Sequence, residues 1–283
     1  MHIIKSAKAL NSYLNTIREG DSKVTIGFIP TMGALHQGHA SLIDESVKNN
    51  TFTFCSIFVN PTQFGEATDL EKYPRPIERD IKLLVEHGCS VLFLPALEDV
   101  YPKNYIHKEF DLNNLDHKIE GESRPGHFQG VSNVISRFFD IIEPTNAYFG
   151  QKDFQQTAVV RRLIEKCKYK TALKIVPIKR EPHGLAMSSR NVRLSDKGRK
   201  NAAFIYKSLY QLREDTPKLG LKESVSKAKQ FINAQKGARV DYLVAVNSKT
   251  LEEVDQINDA ESIAVLTVVE YEGVRLLDNI ILK

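Results

Sequence analysis

His36 and His39 stand three residues apart at the end of an unusual run, V-T-I-G-F-I-P-T-M-G-A-L-H-Q-G-H-A-S-L-I, residues 24–43. Val24 to Ile29 reads as a strand buried on both faces. Pro30 cannot donate to a ladder, which predicts the end of the strand there. Gly33 permits a tight turn. Gly38 opens a helix in which Leu42, Ile43 and Val47 recur at helical spacing. Strand, loop and helix together hold two imidazoles at a helix N-terminus. Free backbone N–H groups and the positive end of the helix dipole make that a phosphate site. Read alone, H-x-x-H also fits two incidental surface histidines, or two metal ligands with no third nearby. The run is neither a Walker loop nor a G-x-G-x-x-G fingerprint.

Other polar residues cluster where strands should end. Phe52 to Val59 is a second strand, closed by N-P-T-Q-F, which puts Asn60 and Gln63 at the carboxyl edge of a sheet. Asn146 to Phe149 is a short strand followed by Gly150 and Q-K-D-F-Q-Q, which opens a helix through Cys167. The stretch R-E-P-H-G-L-A-M-S-S-R-N follows a further strand, Leu173 to Ile178. Arg124 and His127 lie in a Gly- and Pro-containing segment, E-G-E-S-R-P-G-H-F-Q-G-V, which reads as a mobile cover.

The elements that position these residues alternate. Ser6 to Arg18 is an amphipathic helix. Residues 69–76 begin as a loop, and a helix from about Ile77 to Glu86 turns Ile81, Leu84 and Val85 inward. Val91 to Leu94 is a strand, Pro95 to Asp116 an irregular excursion, and Val131 to Ile142 a helix. Such alternation predicts an α/β fold, a Rossmann-like doubly wound parallel sheet with right-handed crossovers. From Lys179 the pattern changes. Helices over about Asp196 to Leu212 and Lys222 to Gln235 precede strands at Val240 to Val246, Ser262 to Tyr271 and Val274 to Leu282. The last two form a hairpin through Glu272-Gly273. The expected domains are therefore 1–178 and a smaller C-terminal α+β domain, 179–283.

The chain has 283 residues, 42% of them hydrophobic, enough for one large or two modest cores. A formal net charge of +4 suits an anionic substrate and does not call for nucleic acid. Cys55, Cys89 and Cys167 are too scattered for a metal motif, and the first two sit in strand-like runs as buried thiols. No apolar run is long enough to span a membrane, and Met1 to Leu10 lacks the apolar stretch of a signal peptide. These features point to a reducing cytoplasm.

H-x-G-H after a first strand resembles the mark of the nucleotidyltransferase superfamily, which includes the class I aminoacyl-tRNA synthetases. With P-T-M-G-A-L-H-Q-G-H, F-V-N-P-T-Q-F, R-P-G-H-F-Q-G-V, Y-F-G-Q-K-D-F-Q-Q and G-L-A-M-S-S-R-N in this order, the chain resembles the pantoate–β-alanine ligases from Ile3 to its C-terminus. The resemblance implies attack of pantoate on the α-phosphorus of ATP, then capture of the pantoyl adenylate by β-alanine. It implies catalytic roles for His36, His39 and Lys152, with the second histidine as proton donor. ATP would meet Met32, Gly33, His36, Gly38, His39, Gly150, Gln151, Lys152, Asp153, Lys179, Met187, Ser188, Ser189 and Arg190. Met187 to Arg190 stand where the family, like the K-M-S-K-S loop of the synthetases, wraps the triphosphate from a second, lid domain. Gln63 and Gln156, amides able to donate and accept, would hold pantoate, with Asn60 and Arg124 beside them. Mg²⁺ would accompany ATP, with Asp80 matching a carboxylate near the metal. A homodimer is the family expectation.

Two positions depart from the family. His183 replaces an Asp, so no ribose or metal role carries over to it. Lys179 stands where relatives often have Val, so only a backbone contact to adenine survives. A different adenylyl-transferring enzyme of the superfamily is the alternative, and would need a basic pocket in place of Gln63 and Gln156. A non-catalytic nucleotide sensor is the second, and would have no need to keep His39 and Lys152 together.

Overall fold

The strands of the first part of the chain all pair in parallel, in the order β1-β4-β3-β2-β5-β6. The computed structural model describes residues 1–21, 23–64, 70–71 and 73–283. The expected loop at 69–76 therefore lies partly outside the described residues. Contacts divide the chain into one unit of Met1–Gly150 with Val159–Val176, and a second of Gln151–Ala158 with Pro177–Lys283.

The first unit runs β1 (His2–Ile4), α1 (Ala7–Gly20), β2 (Ile26–Thr31), α2 (Gln37–Asn49), β3 (Phe52–Ile57), α3 (Ile77–Glu86), β4 (Val91–Phe93), α4 (Leu97–Val100), α5 (Glu120–Ser123), α6 (His127–Ile142) and β5 (Asn146–Gly150). α7 (Phe154–Cys167) then begins in the second unit and re-enters the first, ahead of β6 (Ala172–Val176). β1 has no alternating or apolar run long enough to announce it. It is a strand because its backbone adds to β4 at the sheet edge.

β2 is the strand at which the order reverses. It pairs with β3 over its whole length, but with β5 only at Gly27–Asn146 and Phe28–Ala147. Beyond Phe28 the two strands part, and open α/β sheets bind ligands at such a switch point. The parting also explains Pro30, which lies inside β2 and does not end it. The carbonyl of Thr31 accepts from Phe58 on the β3 side. Pro30, one residue earlier, therefore faces the β5 side, where the ladder has already stopped and no N–H is needed. Gly27 serves packing, because a Cβ there would meet Ser46 Oγ at 2.1 Å.

Two helices are rotated from the faces their apolar spacing suggests. In α2 the buried position is Ser46, hydrogen-bonded to Thr53 at 2.8 Å, while Val47 is exposed. In α3 Asp80 and Leu84 are buried and Val85 is exposed. In each case a satisfied polar group takes the inward place of a valine. Ile29, Leu35, Ile43, Cys55, Leu84 and Leu92 form the core on this side of the sheet.

The second unit contains α8 (Asp196–Asn201), α9 (Phe204–Leu219) and α10 (Leu221–Asn233), then the antiparallel sheet β7 (Ala238–Asn247), β8 (Ile263–Tyr271) and β9 (Val274–Ile281). The single helix expected from Asp196 is broken at Ala202–Ala203. Glu272 and Gly273 both have positive φ, +49° and +70°, as a two-residue hairpin with right-handed strand twist requires. Leu209, Leu212, Ile232, Val265 and Val269 lie in the core between helices and sheet.

Candidate active site

His36 and His39 form a capping box on α2. His36 is the N-cap, and its Nδ1 accepts the Gly38 N–H at 3.0 Å. His39 Nδ1 accepts the His36 N–H at 3.2 Å. Both Nδ1 atoms are thus acceptors, which puts the proton of each neutral ring on Nε2. The rings lie 4.1 Å apart between centroids. Both rings therefore stand at a helix N-terminus, where the dipole favours an anion. The loop before them needs Gly33, whose φ is +84° and whose Cβ would lie 3.1 Å from Asp80 and Ile57 atoms.

Asp80 is tied to the loop that precedes α2. Its Oδ2 accepts the Ala34 N–H at 2.8 Å and its Oδ1 the Leu35 N–H at 2.7 Å. Ala34 is itself left-handed, with φ +52°. Asp80 is buried, and burial pushes its carboxyl up against the pull of the two N–H groups. It fastens the loop between β2 and α2. Among the described residues, no group of three or more His, Cys, Asp or Glu is placed to hold a metal.

Gln63 closes a 3₁₀ turn, Pro61–Gln63, that follows β3. Its carbonyl accepts from His127 Nδ1 at 2.8 Å and from Arg124 at 3.5 Å, and Arg124 also reaches His127 Nε2 at 3.1 Å. Arg124 and His127 thus clamp the main chain of Gln63. Gln63 Nε2 donates toward Met32 Sδ at 2.8 Å, so the β2 and β3 loops meet here. Gly130 allows this, because a Cβ on it would strike the Thr62 carbonyl at 2.3 Å. The expected mobile cover is mostly helix. His127 starts α6, and Phe128, Gly130 and Val131 are buried. Asn60 is buried. Its Oδ1 accepts from Thr62 and Tyr101, and its Nδ2 donates to Gln63 Oε1 and the Gly130 carbonyl. Gly150 ends β5, and a Cβ there would meet nothing within 4 Å.

In the second unit, Gln151 to Asp153 form a 3₁₀ turn ahead of α7. Asn279 holds this turn: its Nδ2 donates to the carbonyls of Gln151 and Lys152, and its Oδ1 accepts from Gln151 Nε2 at 3.0 Å. The Gln151 side chain is thus engaged internally, while Lys152 pairs with Asp153 at 3.3 Å. Gln156 is half-buried in the first turn of α7, beside the buried Gln155.

Lys179 and Met187 are joined by the Met187 N–H to Lys179 carbonyl bond at 3.0 Å, closing a loop. Arg180 anchors it, with two bonds of 2.6 and 2.8 Å to buried Asp278 and its guanidinium 3.7 Å from the Tyr206 ring centroid. Burial pushes the Asp278 carboxyl up, against the pull of Arg180. Glu181 takes Arg199 Nε at 2.8 Å and Asn191 Nδ2 at 3.2 Å. His183 Nε2 lies 2.8 Å from the Arg199 carbonyl, a structural contact for the residue that departs from the family. Ser188 caps the turn Ser189–Arg193, its Oγ accepting the Arg190 N–H at 3.3 Å. Asp278, Asn279 and Arg199 carry no motif. Only a polar pair within the apolar run of β9 hinted at the first two.

A parallel sheet whose switch-point strand leads into two histidines at a helix N-terminus defines an α/β protein with a site suited to an anionic ligand. A family profile described as pantoate-beta-alanine ligase matches residues 2–281. The chain is 44% identical over 273 residues to the pantothenate synthetase of Cytophaga hutchinsonii, covering 95% of each chain. It is 42% identical to that of Azobacteroides pseudotrichonymphae, covering 99% of each. Among solved structures, the pantothenate synthetase of Thermus thermophilus superimposes with a TM-score of 0.89 at 37% identity, 99% of each chain covered. The pantoate-beta-alanine ligase of Francisella tularensis, complexed with beta-gamma ATP and beta-alanine, superimposes with a TM-score of 0.80 at 34% identity, over 99% of this chain and 97% of that one. The chain belongs to the pantoate–β-alanine ligase family.

Proposed function

We propose that this chain carries out the family's reaction at the switch point of its sheet. The enzyme is an AMP-forming acid–amine ligase that joins pantoate to β-alanine through a pantoyl adenylate. The observation that carries the reading is the capping box of His36 and His39 at the N-terminus of α2, directly after the loop that leaves the switch-point strand.

A pantoate carboxylate oxygen bonds to the α-phosphorus of ATP, and the bond from that phosphorus to the bridging oxygen breaks with loss of pyrophosphate. The carboxylate is already nucleophilic, so the step needs orientation and charge stabilisation more than a base. His36 and His39 donate to phosphate oxygens as negative charge shifts toward the leaving group. Lys152, Met187, Ser188, Ser189 and Arg190 serve the triphosphate, and Asp153 and the backbones of Gly150 and Lys179 the nucleoside. Gln63 and Gln156 hold pantoate. The amine of β-alanine then attacks the acyl carbon, AMP departs with the carboxyl oxygen, and the nitrogen gives up a proton. Mg²⁺ enters as the counter-ion of ATP and screens its phosphates; no protein carboxylate is assigned to it. The lid role of the C-terminal domain, a homodimer and a cytoplasmic setting complete the reading. Among the described residues no helix is long and apolar enough to cross a membrane.

The test is pyrophosphate release from ATP that depends on pantoate, with AMP and pantothenate appearing after β-alanine is added. Pyrophosphate release driven instead by a mononucleotide would favour the other adenylyl-transfer chemistry.

A further inference from the structure

Gln63 is clamped through its main chain, but its side-chain amide must also choose which end faces the substrate. The choice is made behind it. Asn60 touches two backbone groups that cannot exchange roles: the Thr62 N–H, at 3.4 Å from Oδ1, only donates, and the Gly130 carbonyl, at 3.2 Å from Nδ2, only accepts. This fixes the orientation of the Asn60 amide. Its second Nδ2 hydrogen points to Gln63 Oε1 at 3.2 Å, and its Oδ1 also receives the Tyr101 hydroxyl at 3.1 Å. With Oε1 engaged, Gln63 presents Nε2, which here lies 2.8 Å from Met32 Sδ. A thioether is a weak acceptor, and a substrate oxygen is a better one.

We propose that Tyr101 and Asn60 form a directional relay that holds the Gln63 amide as a donor toward pantoate, making Tyr101 a positioning residue for that substrate. The inference rests on the reading that Gln63 meets pantoate. It also revises the expectation that Gln63 donates and accepts alike. Tyr101 is suited to the task. It is buried, and its ring is set by Phe58, Tyr105 and His107 at centroid distances of 6.2, 5.2 and 4.9 Å. Burial pushes its phenol up to about 12, so the hydroxyl keeps the proton it donates. On the reading that Gln63 meets pantoate and not ATP, the effect of the relay is confined to the acid substrate.

The experiment measures pantoate-dependent pyrophosphate release in the full-length enzyme for the unmodified protein, Tyr101→Phe, Gln63→Ala, the double variant and Gln63→Glu. Tyr101→Phe keeps the ring and removes the hydroxyl, with its bonds to Asn60 and Thr62. It should raise KM for pantoate about three- to tenfold and leave KM for ATP and the melting temperature unchanged. In the Gln63→Ala background the same change should add nothing, because the group it orients is gone. Gln63→Glu has the same shape but only acceptors, and should weaken pantoate as much as Gln63→Ala does. An unchanged pantoate KM in Tyr101→Phe, an equal rise for ATP, or the same rise with Gln63 already removed would overturn the relay. So would Gln63→Glu binding pantoate as well as the unmodified enzyme. If the unmodified enzyme releases no pyrophosphate with pantoate, the substrate assignment itself falls, and the relay with it.

Discussion

Replacing Asp80 with alanine separates a loop fastener from a metal ligand. The substitution leaves two backbone N–H groups, those of Ala34 and Leu35, without the acceptors they now have at 2.8 and 2.7 Å. An unsatisfied buried donor costs about 1–3 kcal/mol, so two cost about 2–6 kcal/mol. Part of this is offset, because the variant no longer buries a carboxylate whose pKa is raised by burial. A net loss of about 2–4 kcal/mol is expected. Asp80→Asn keeps one acceptor but turns an NH₂ toward the other N–H, and should lose about 1–3 kcal/mol. Urea unfolding followed by circular dichroism, with and without Mg²⁺, measures both. Adenylate formation should fall with stability, because the loop that Asp80 holds carries Met32 and ends in His36. Wild-type stability in Asp80→Ala together with a raised Mg²⁺ requirement would refute the fastener and return Asp80 to the metal.

Three further outcomes follow. His36→Asn retains an N-cap acceptor and so keeps α2, but loses the ring N–H; pantoyl-adenylate formation should drop on the order of a hundredfold with the melting temperature held, and a rate near wild type would remove His36 from the phosphate site. Hydrogen exchange with pantoate and Mg-ATP should slow across residues 184–191, and unchanged exchange there would detach Ser188 to Arg190 from ATP. Burial raises the Cys89 thiol from 9.0 to about 12. Its folded pKa lies above the unfolded one, so the stability it contributes is complete below about pH 9 and is lost as pH rises toward 12. The slope is about 1.4 kcal/mol per pH unit per group. Cys89→Ala should flatten the alkaline fall of the urea midpoint, and an unaltered slope would contradict this.

The alternation of strands and helices was legible in the sequence because burial on a sheet or helix face imposes a period. Its ends were not, where one tertiary contact decides. Pro30 reads as a stop, and only the parting of β2 from β5 shows that no hydrogen bond is missing there. His127 to Gly130 reads as a loop for its Gly and Pro neighbours, yet Gly130 is what lets helix α6 sit against Thr62. Val47 and Val85 follow the inward spacing and are exposed, while Ser46 turns inward to Thr53 of the next strand and Asp80 to the loop before α2.

The site divides in the same way. By itself the sequence determined which groups are present and in what order: H-x-G-H after a strand, the glutamines after two others, the S-S-R turn. These are local, since a strand end and a helix start fix where each residue stands. Only the tertiary structure decided what each group has left to offer. Asp80 and Asn60 are isolated polar residues in sequence, and only the fold shows that Asp80 holds the Ala34 and Leu35 N–H groups and that Asn60 reaches Gln63 and Gly130. Tyr101, Asp278 and Asn279 have no motif, yet they set Asn60, Arg180 and the Gln151–Asp153 turn. The physical reason is that a buried donor or acceptor must be paired, and its partner is chosen by the fold, from segments far away along the chain.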